Sequence, residues 1–158
     1  MTSPAPASLR LCVRRHRVPS PAGVTVQISL RVPSDVSCIE EVVDLLMRHC
    51  TAANWLCRRM RFNFRVAVAE ALANAIVAGN QENPSKSVEV AAEMGPDHVR
   101  IAVTDQGPGF DPANIQDPIL PEDLDRPNGR GLFLIRQLVD DVQFNEQGNS
   151  ICMMLRRR

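Results

Sequence analysis

The stretch Arg65-Val-Ala-Val-Ala-Glu-Ala-Leu-Ala-Asn-Ala-Ile-Val-Ala-Gly-Asn80 decides the fold of this chain. It is apolar almost throughout, except for Glu70 and Asn74, whose i, i+4 spacing puts them on one face of a helix. A helix that is apolar on nearly every side is expected to be buried, and an unpaired polar group is costly there. Two interpretations follow: the pair makes a structural hydrogen bond to a neighbouring loop, or it forms a site for a divalent metal ion or a nucleotide.

Composition indicates one soluble domain in the 158-residue chain, because 44% hydrophobic and 23% charged residues are ordinary values for globular proteins. No apolar run approaches the ~20 residues of a membrane span, and Met1 to Ser8 lacks a signal-peptide pattern. We therefore predict a cytoplasmic protein with no membrane contact. The formal net charge of zero argues against direct nucleic-acid binding.

Basic residues cluster near both ends of the chain, and we interpret both clusters as solvated tails, with a contact patch for an acidic partner as the alternative. They are Arg14, Arg15 and Arg17 near the start and Arg156 to Arg158 at the end. The five cysteines include no Cys-x-x-Cys pair, and the spacing of His49, Cys50 and Cys57 fits no common zinc site.

Hydrophobic periodicity predicts an α+β protein. In chain order the elements are a strand from Val24 to Pro33, helices over 39–50 and 62–78, strands over 88–94 and 99–103, a helix over 132–139, a strand from Val142, and an edge strand over 151–155. Ser34 or Ser37 is predicted to cap the first helix. This order favours a two-layer α/β sandwich, in which about three helices cover one face of a mixed, mainly antiparallel sheet. Residues 1–22 are predicted to be a flexible N-terminal tail, and residues 23–158 to form the domain.

Two glycine motifs follow the Glu70 helix, and each on its own is usually only a tight turn or a helix start. Asp105-Gln-Gly107-Pro-Gly109 ends a predicted strand, and Gly129-Arg-Gly131 opens a predicted helix. The order of all three features suits ATP. Asp105 can accept a hydrogen bond from the adenine amino group, while Gly107 and Gly109 let the backbone approach the base and sugar.

The phosphate end of ATP would meet the other residues. Gly129 and Gly131 leave backbone N–H groups free to approach phosphates at a helix N-terminus, which favours anions. Asn74 offers an oxygen to Mg²⁺, a cation that takes few protein ligands and bridges phosphates. Glu70 lies one turn before Asn74 and can act as a general base on an attacking hydroxyl.

These motifs resemble those of the GHKL ATPase superfamily, and the small size is closest to the bacterial anti-sigma-factor serine kinases. Glu70-Ala-Leu-Ala-Asn-Ala-Ile76 resembles the N box, Val103 to Phe110 the first glycine box, and Gly129 to Asp140 the second. The resemblance covers residues 24–158 and implies the histidine-kinase-like ATPase fold.

The resemblance also implies roles for individual residues. Glu70 is the catalytic base, Asn74 the Mg²⁺ ligand, Asp105 the carboxylate that reads adenine, and residues 111–128 the ATP lid. The other residues expected to bind the nucleotide are Gly107, Gly109, Arg126, Gly129, Arg130, Gly131, Leu132 and Ser150. Between Arg126 and Arg130, both candidates for a contact to the γ-phosphate or to a partner, the sequence makes no choice.

The function implied by this resemblance is an ATP- and Mg²⁺-dependent serine/threonine protein kinase. It would phosphorylate a STAS-type anti-anti-sigma protein, sequester a sigma factor and form a homodimer. Many relatives have a histidine where this chain has Ala78. The alternatives are a nucleotide-dependent partner-binding switch with little phosphotransfer, and a detached ATPase module acting beside another signalling protein.

Overall fold

The fold is known from a computed structural model that describes residues 11–55, 57–111 and 129–158, with the backbone alone at residues 129 and 130. Six strands form one sheet in the order β1-β2-β3-β4-β6-β5, and every pairing is antiparallel. The strands are β1 (Cys12–Ser20), β2 (Gly23–Pro33), β3 (Ser87–Met94), β4 (His98–Thr104), β5 (Asp141–Phe144) and β6 (Ser150–Arg156). The helices are α1 (Ile39–Ala52), α2 (Arg65–Ala73) and α3 (Gly129–Leu138), with a short 3₁₀ turn, Val36–Cys38, before α1.

The core lies between one face of the sheet and the helices. Alternate residues of β2, such as Ile28 and Leu30, are buried, while the residues between them are exposed. Strands β3, β4 and β6 follow the same alternation, as expected where one sheet face packs on a core and the other faces water. The predicted α+β architecture is confirmed, although within the described residues the sheet is wholly antiparallel rather than mixed.

The Glu70 helix is longer than predicted and changes its winding at both ends. Wider π-helical turns, Arg59–Phe64 and Asn74–Gly79, flank α2, so the helical stretch runs over 59–79. By length and composition alone this stretch could cross a membrane; here Phe64, Leu72 and Ile76 are fully buried in the core. The helix is not buried on all sides as predicted, because about two-fifths of Val66 and half of Val77 are exposed.

Strand β1 replaces part of the predicted flexible tail. Cys12–Ser20 pair with β2 along their whole length, although all nine residues are exposed. The pairing gives partners to backbone groups of β2 that would otherwise form a free sheet edge. The tail prediction is therefore wrong for these nine residues, and residues 1–10 lie outside the described part of the chain.

Strand β6 is internal, and the prediction of an edge strand is wrong. It lies between β4 and β5, with Val103 opposite Ile151 on one side. Met153 and Leu155 are fully buried, whereas none of the four residues of β5 is. Because the strand that buries more apolar surface gains more from a central position, β5 is left at the edge.

Of two local predictions, the cap before α1 needs correction and the exposure of the C-terminal arginines is confirmed. The turn before α1 is capped by Asp35, which accepts a hydrogen bond from the Ser37 backbone N–H at 2.9 Å, whereas Ser34 is buried and donates to the Lys86 carbonyl at 2.7 Å. The three C-terminal arginines are exposed, although Arg156 ends β6 and the Arg157 side chain donates to the carbonyls of Pro96 and Asn54.

Candidate functional site

A cavity of about 150 Å³ opens where the end of the α2 stretch, the end of β4, the start of β6 and the start of α3 meet. Its walls are largely apolar, with a few polar groups, as in small-molecule sites generally. The lining residues are Ala71, Asn74, Ala75, Ala78, Gly79, Val103, Asp105, Pro108, Gly109, Phe110, Leu132, Phe144, Gly148, Asn149, Ser150 and Ile151.

Glu70 and Asn74 lie against the first turn of α3. A Cβ atom on Gly131 would be 3.1 Å from Asn74 Nδ2 and 3.2 Å from Glu70 Oε2, so both side chains would have to shift by a few tenths of an ångström to accept it. The absence of a side chain at Gly131 thus lets the N-terminus of α3 approach both polar groups. A helix N-terminus beside an amide oxygen and a carboxylate is an arrangement that suits a phosphate and its metal ion.

Asp105 follows the last residue of β4 and is half-buried in the cavity wall. Its Oδ1 accepts a hydrogen bond from the Gly107 backbone N–H at 2.8 Å. Burial raises the pKa of the Asp105 carboxyl, although the Gly107 hydrogen bond and the charge of Lys86 act in the opposite direction. The backbone of Gly79 faces the same carboxyl so closely that a Cβ atom there would overlap it.

The glycines of the first motif are required by packing as well as by any ligand. A Cβ atom on Gly107 would collide with the carbonyl of Gly79, and one on Gly109 would collide with the carbonyl of Gln147. Gly109 also has a φ of +75°, which a larger residue rarely adopts. Gly109 lines the cavity, whereas Gly107 does not. The roles of both glycines toward a base and sugar remain predictions.

Two further predicted residues, Leu132 and Ser150, also line the cavity. The Ser150 hydroxyl lies 2.7 Å from the Thr104 hydroxyl across the β4–β6 pair. Phe110 and Phe144, which the sequence analysis did not assign to the site, form one wall with an edge-to-face contact at 5.4 Å between ring centroids.

Some predicted residues cannot be placed. Gly129 begins α3 beside Gly131, but Arg126 lies outside the described residues, as do the Arg130 side chain and all of the predicted lid except Asp111.

Two asparagines that the sequence analysis missed hold the Asp105 turn. Asn80 is fully buried, and its Oδ1 accepts the Gln106 backbone N–H at 2.7 Å. Asn149 donates from Nδ2 to the Asp105 carbonyl at 3.2 Å and accepts the Asp105 N–H on its own carbonyl at 2.9 Å. The sequence feature that could have indicated Asn80 is its position directly after Gly79, at the end of the helix that carries Glu70 and Asn74.

Other reactive groups are poor candidates for catalysis. Burial raises the pKa of the Cys50 thiol to about 12, so it stays protonated and unreactive at neutral pH. His98 is hydrogen-bonded to both Glu93 and Asp97, and none of the three lines the cavity. In the described residues, no three His, Cys, Asp or Glu side chains gather as metal ligands.

Comparison with known proteins identifies the domain. The family model described as the histidine kinase-like ATPase domain matches residues 32–155, well over half of the chain. The chain belongs to the histidine kinase-like ATPase family. Membership of this ATPase family implies that the protein binds ATP, and the matched range includes Glu70, Asn74, Asp105, Gly131 and Ser150.

Relatives of this histidine kinase-like ATPase include bacterial proteins named serine-protein kinase RsbW. The protein from Oceanobacillus iheyensis is 34% identical over 108 residues, which cover 61% of this chain and 68% of the relative. The protein from Staphylococcus aureus is 34% identical over 97 residues, or 56% of this chain and 61% of the relative. The chain therefore spans about two thirds of the length of the relatives it matches.

Proposed function

We propose that this histidine kinase-like ATPase is an ATP-dependent protein serine/threonine kinase that acts as an anti-sigma regulatory factor. One observation carries the proposal: Glu70 and Asn74 lie against Gly131 at the start of α3, beside a cavity that also holds the Asp105 carboxyl. The relatives named serine-protein kinase support the choice of chemistry.

The residues of the cavity fit ATP with Mg²⁺. Asp105 offers a carboxylate oxygen to the adenine amino group, and Leu132 with the neighbouring apolar walls suits the flat base. The phosphates would meet the N-terminus of α3 at Gly129 and Gly131. Asn74 provides the hard oxygen that Mg²⁺ prefers, and the metal ion, when bound, neutralises the charge that develops on the phosphates.

Further contacts to the nucleotide are assigned from the family resemblance. Ser150 would bind on the adenine side, with Gly107 and Gly109 near the base and sugar. Arg126 and Arg130 are both candidates for the γ-phosphate.

Glu70 is proposed to orient and deprotonate the attacking serine hydroxyl. The hydroxyl oxygen forms a bond to the γ-phosphorus while the bond from that phosphorus to the β–γ bridging oxygen breaks. The proton passes to the Glu70 carboxylate, and ADP leaves. Kinases need little more from the protein than such positioning and charge stabilisation.

The partners are proposed from the family resemblance, and the name of the relatives supports only the serine as the phosphorylated residue. The proposed substrate is a serine of a STAS-type anti-anti-sigma protein. The proposed second partner is a sigma factor, which the protein binds when the STAS protein is absent. A cytoplasmic homodimer is the proposed form.

Glu70→Gln tests the catalytic assignment. The change keeps the size of the side chain and removes the base, so transfer of labelled γ-phosphate to a STAS protein from the same genome should fall by about 10² or more. ATP affinity, measured by calorimetry, should stay within about threefold, because the base is not assigned a binding role. Glu41→Gln, at an exposed position in the first turn of α1, is the matched control. Undiminished transfer by Glu70→Gln would refute the role of Glu70.

A second candidate function is a nucleotide-dependent partner-binding switch without phosphotransfer. It is favoured by Ala78, which lines the cavity with only a methyl group to offer. Under this alternative, the wild-type protein binds ATP and changes its affinity for a sigma factor with the nucleotide, but labels no STAS protein.

A further inference from the structure

The Asn80 side chain joins three separate segments at the end of the sheet where the cavity opens. Its Oδ1 accepts the Gln106 backbone N–H at 2.7 Å, and its Nδ2 donates to the Ser34 hydroxyl at 2.9 Å and to the Ser87 carbonyl at 3.0 Å. The amide thus uses both donors and one acceptor in a fully buried position. Such satisfied buried networks rigidify the structure around them.

The network continues on both sides of Asn80. The Ser34 hydroxyl donates a hydrogen bond to the Lys86 carbonyl at 2.7 Å, and the Gln106 side chain accepts one from the Ser87 N–H at 2.7 Å. The turn that follows β4 is therefore attached to the end of the α2 stretch, to the end of β2 and to the start of β3. Gln106 lies directly between Asp105 and Gly107, whose N–H holds the Asp105 carboxylate.

The backbone after Asn80 indicates that its position is tightly constrained. Gln81 and Glu82 have φ of 53° and 54°, values that residues other than glycine rarely adopt. Hydrogen bonds from the Glu82 N–H to the Ile76 carbonyl and from the Asn83 N–H to the Asn80 carbonyl close this turn. Unfavourable backbone angles persist only where surrounding contacts impose them, and they cluster at functional sites.

We infer that Asn80 is a positioning residue that holds the Asp105 carboxylate where it selects adenine over guanine; the inference rests on the proposed function. Adenine presents an amino donor at the position where guanine presents the O6 acceptor. A fixed carboxylate accepts from the first and repels the second. If the Gln106 N–H loses its partner, only the contacts to Asn149 and Ser87 remain, so the carboxylate is held less firmly and this discrimination weakens.

The test compares affinities for Mg-ATP and Mg-GTP in the full chain. In Asn80→Ala the ATP dissociation constant should rise about tenfold, the scale of one hydrogen bond to a charged group, while GTP affinity changes little. The ATP-to-GTP preference should fall by the same factor. In kinase assays KM for ATP should rise with kcat retained, because Glu70 is untouched.

Ser34→Ala is the matched control. It removes one acceptor of Asn80 in the same buried network but leaves the contact to Gln106, so it should lower thermal stability and leave the ATP-to-GTP preference within about twofold. A folded Asn80→Ala protein with wild-type preference would overturn the inference while leaving the proposed function standing. If the wild type binds no ATP, the proposed function fails and the inference fails with it.

A second variant keeps the test decisive if Asn80→Ala does not fold. Asn80→Ser retains a hydroxyl that can hydrogen-bond in the buried position, but its side chain is too short to accept the Gln106 N–H. Its ATP-to-GTP preference should lie below that of the wild type, and an unchanged preference would overturn the inference.

Discussion

The Asp105 carboxyl lies half-buried beside Gly79, and burial raises its pKa despite the opposing effects of the Gly107 N–H and Lys86. An acid whose pKa is higher in the folded than in the unfolded chain makes the fold less stable once it ionises. The free energy of unfolding therefore decreases as pH rises from the ordinary pKa range of aspartic acid through the raised pKa of Asp105. A residue that destabilises its own fold in this way is typical of a functional site.

Asp105→Asn should separate stability from nucleotide binding. The amide oxygen can still accept the Gly107 N–H, which leaves the NH₂ group to face the adenine amino group, so two donors meet. ATP affinity should fall by about tenfold or more, whereas the ligand-free variant should unfold at a higher urea concentration at pH 7 than the wild type. The stability difference should disappear at acidic pH, where Asp105 is protonated in both states. Equal affinity would contradict the assignment of Asp105 to the nucleotide.

At the level of residues, the sequence predicts the candidate ligand-binding side chains better than the side chains that hold them in position. Asp105, Asn74 and Ser150 were expected at one site, and all three line one cavity. Asn80 was missed, because a buried amide is recognisable only through partners such as Ser34 and Gln106 that are distant in sequence. The glycines of the first motif were predicted, but the groups that require them, the carbonyls of Gly79 and Gln147, belong to other segments and cannot be recognised from the motif alone.

Among the elements, the Arg157 side chain helps to hold the end of β6 to the α1–α2 connection, as does Arg59, which donates to the Arg156 carbonyl at 3.2 Å. Arg157 donates from Nε to the Pro96 carbonyl at 2.9 Å, and its guanidinium lies 4.2 Å from the centroid of the Trp55 ring. Trp55 is itself buried and donates from Nε1 to the Gly95 carbonyl at 3.1 Å. This cluster fastens the β3–β4 hairpin to the helices at the opposite end of the strands from the cavity.

Arg157→Ala should therefore lower the free energy of unfolding by about 1 to 2 kcal/mol, through the lost hydrogen bonds and cation–π contact. Trp55 is the sole tryptophan of the chain, so its fluorescence reports directly on the cluster and should shift to longer wavelength as water gains access. Arg157→Lys should recover only part of the loss, since lysine lacks the planar fork. Arg14→Ala, on exposed β1, serves as the control. If Arg157→Ala is as stable as this control, the C-terminal contact makes no net contribution.

Periodicity predicted most strands and helices because their buried faces repeat at short range, as in β3 and α1. It did not predict the internal position of β6 or the pairing of β1. Strand order depends on contacts between distant segments, and the exposed strand β1 has no buried face to give a pattern. The π-helical turn Asn74–Gly79 was also missed, because its sequence is ordinary for a helix.

In the molecule as a whole, the sheet brings four distant segments to one place. The helix carrying Glu70 and Asn74, the turn of Asp105, the start of α3 at Gly131 and the start of β6 at Ser150 all meet at the cavity. The sequence predicted this meeting from the order of its motifs, through their resemblance to a known family. The family match then places the whole arrangement in the histidine kinase-like ATPases.

The most direct test is a crystal structure of the protein with Mg²⁺ and a non-hydrolysable ATP analogue. The account predicts the adenine amino group about 3 Å from Asp105, a hydrogen-bond distance, with the phosphates at the first turn of α3 and the metal ion bound by Asn74. A nucleotide bound outside this cavity, or bound with Asp105 and Asn74 untouched, would contradict it.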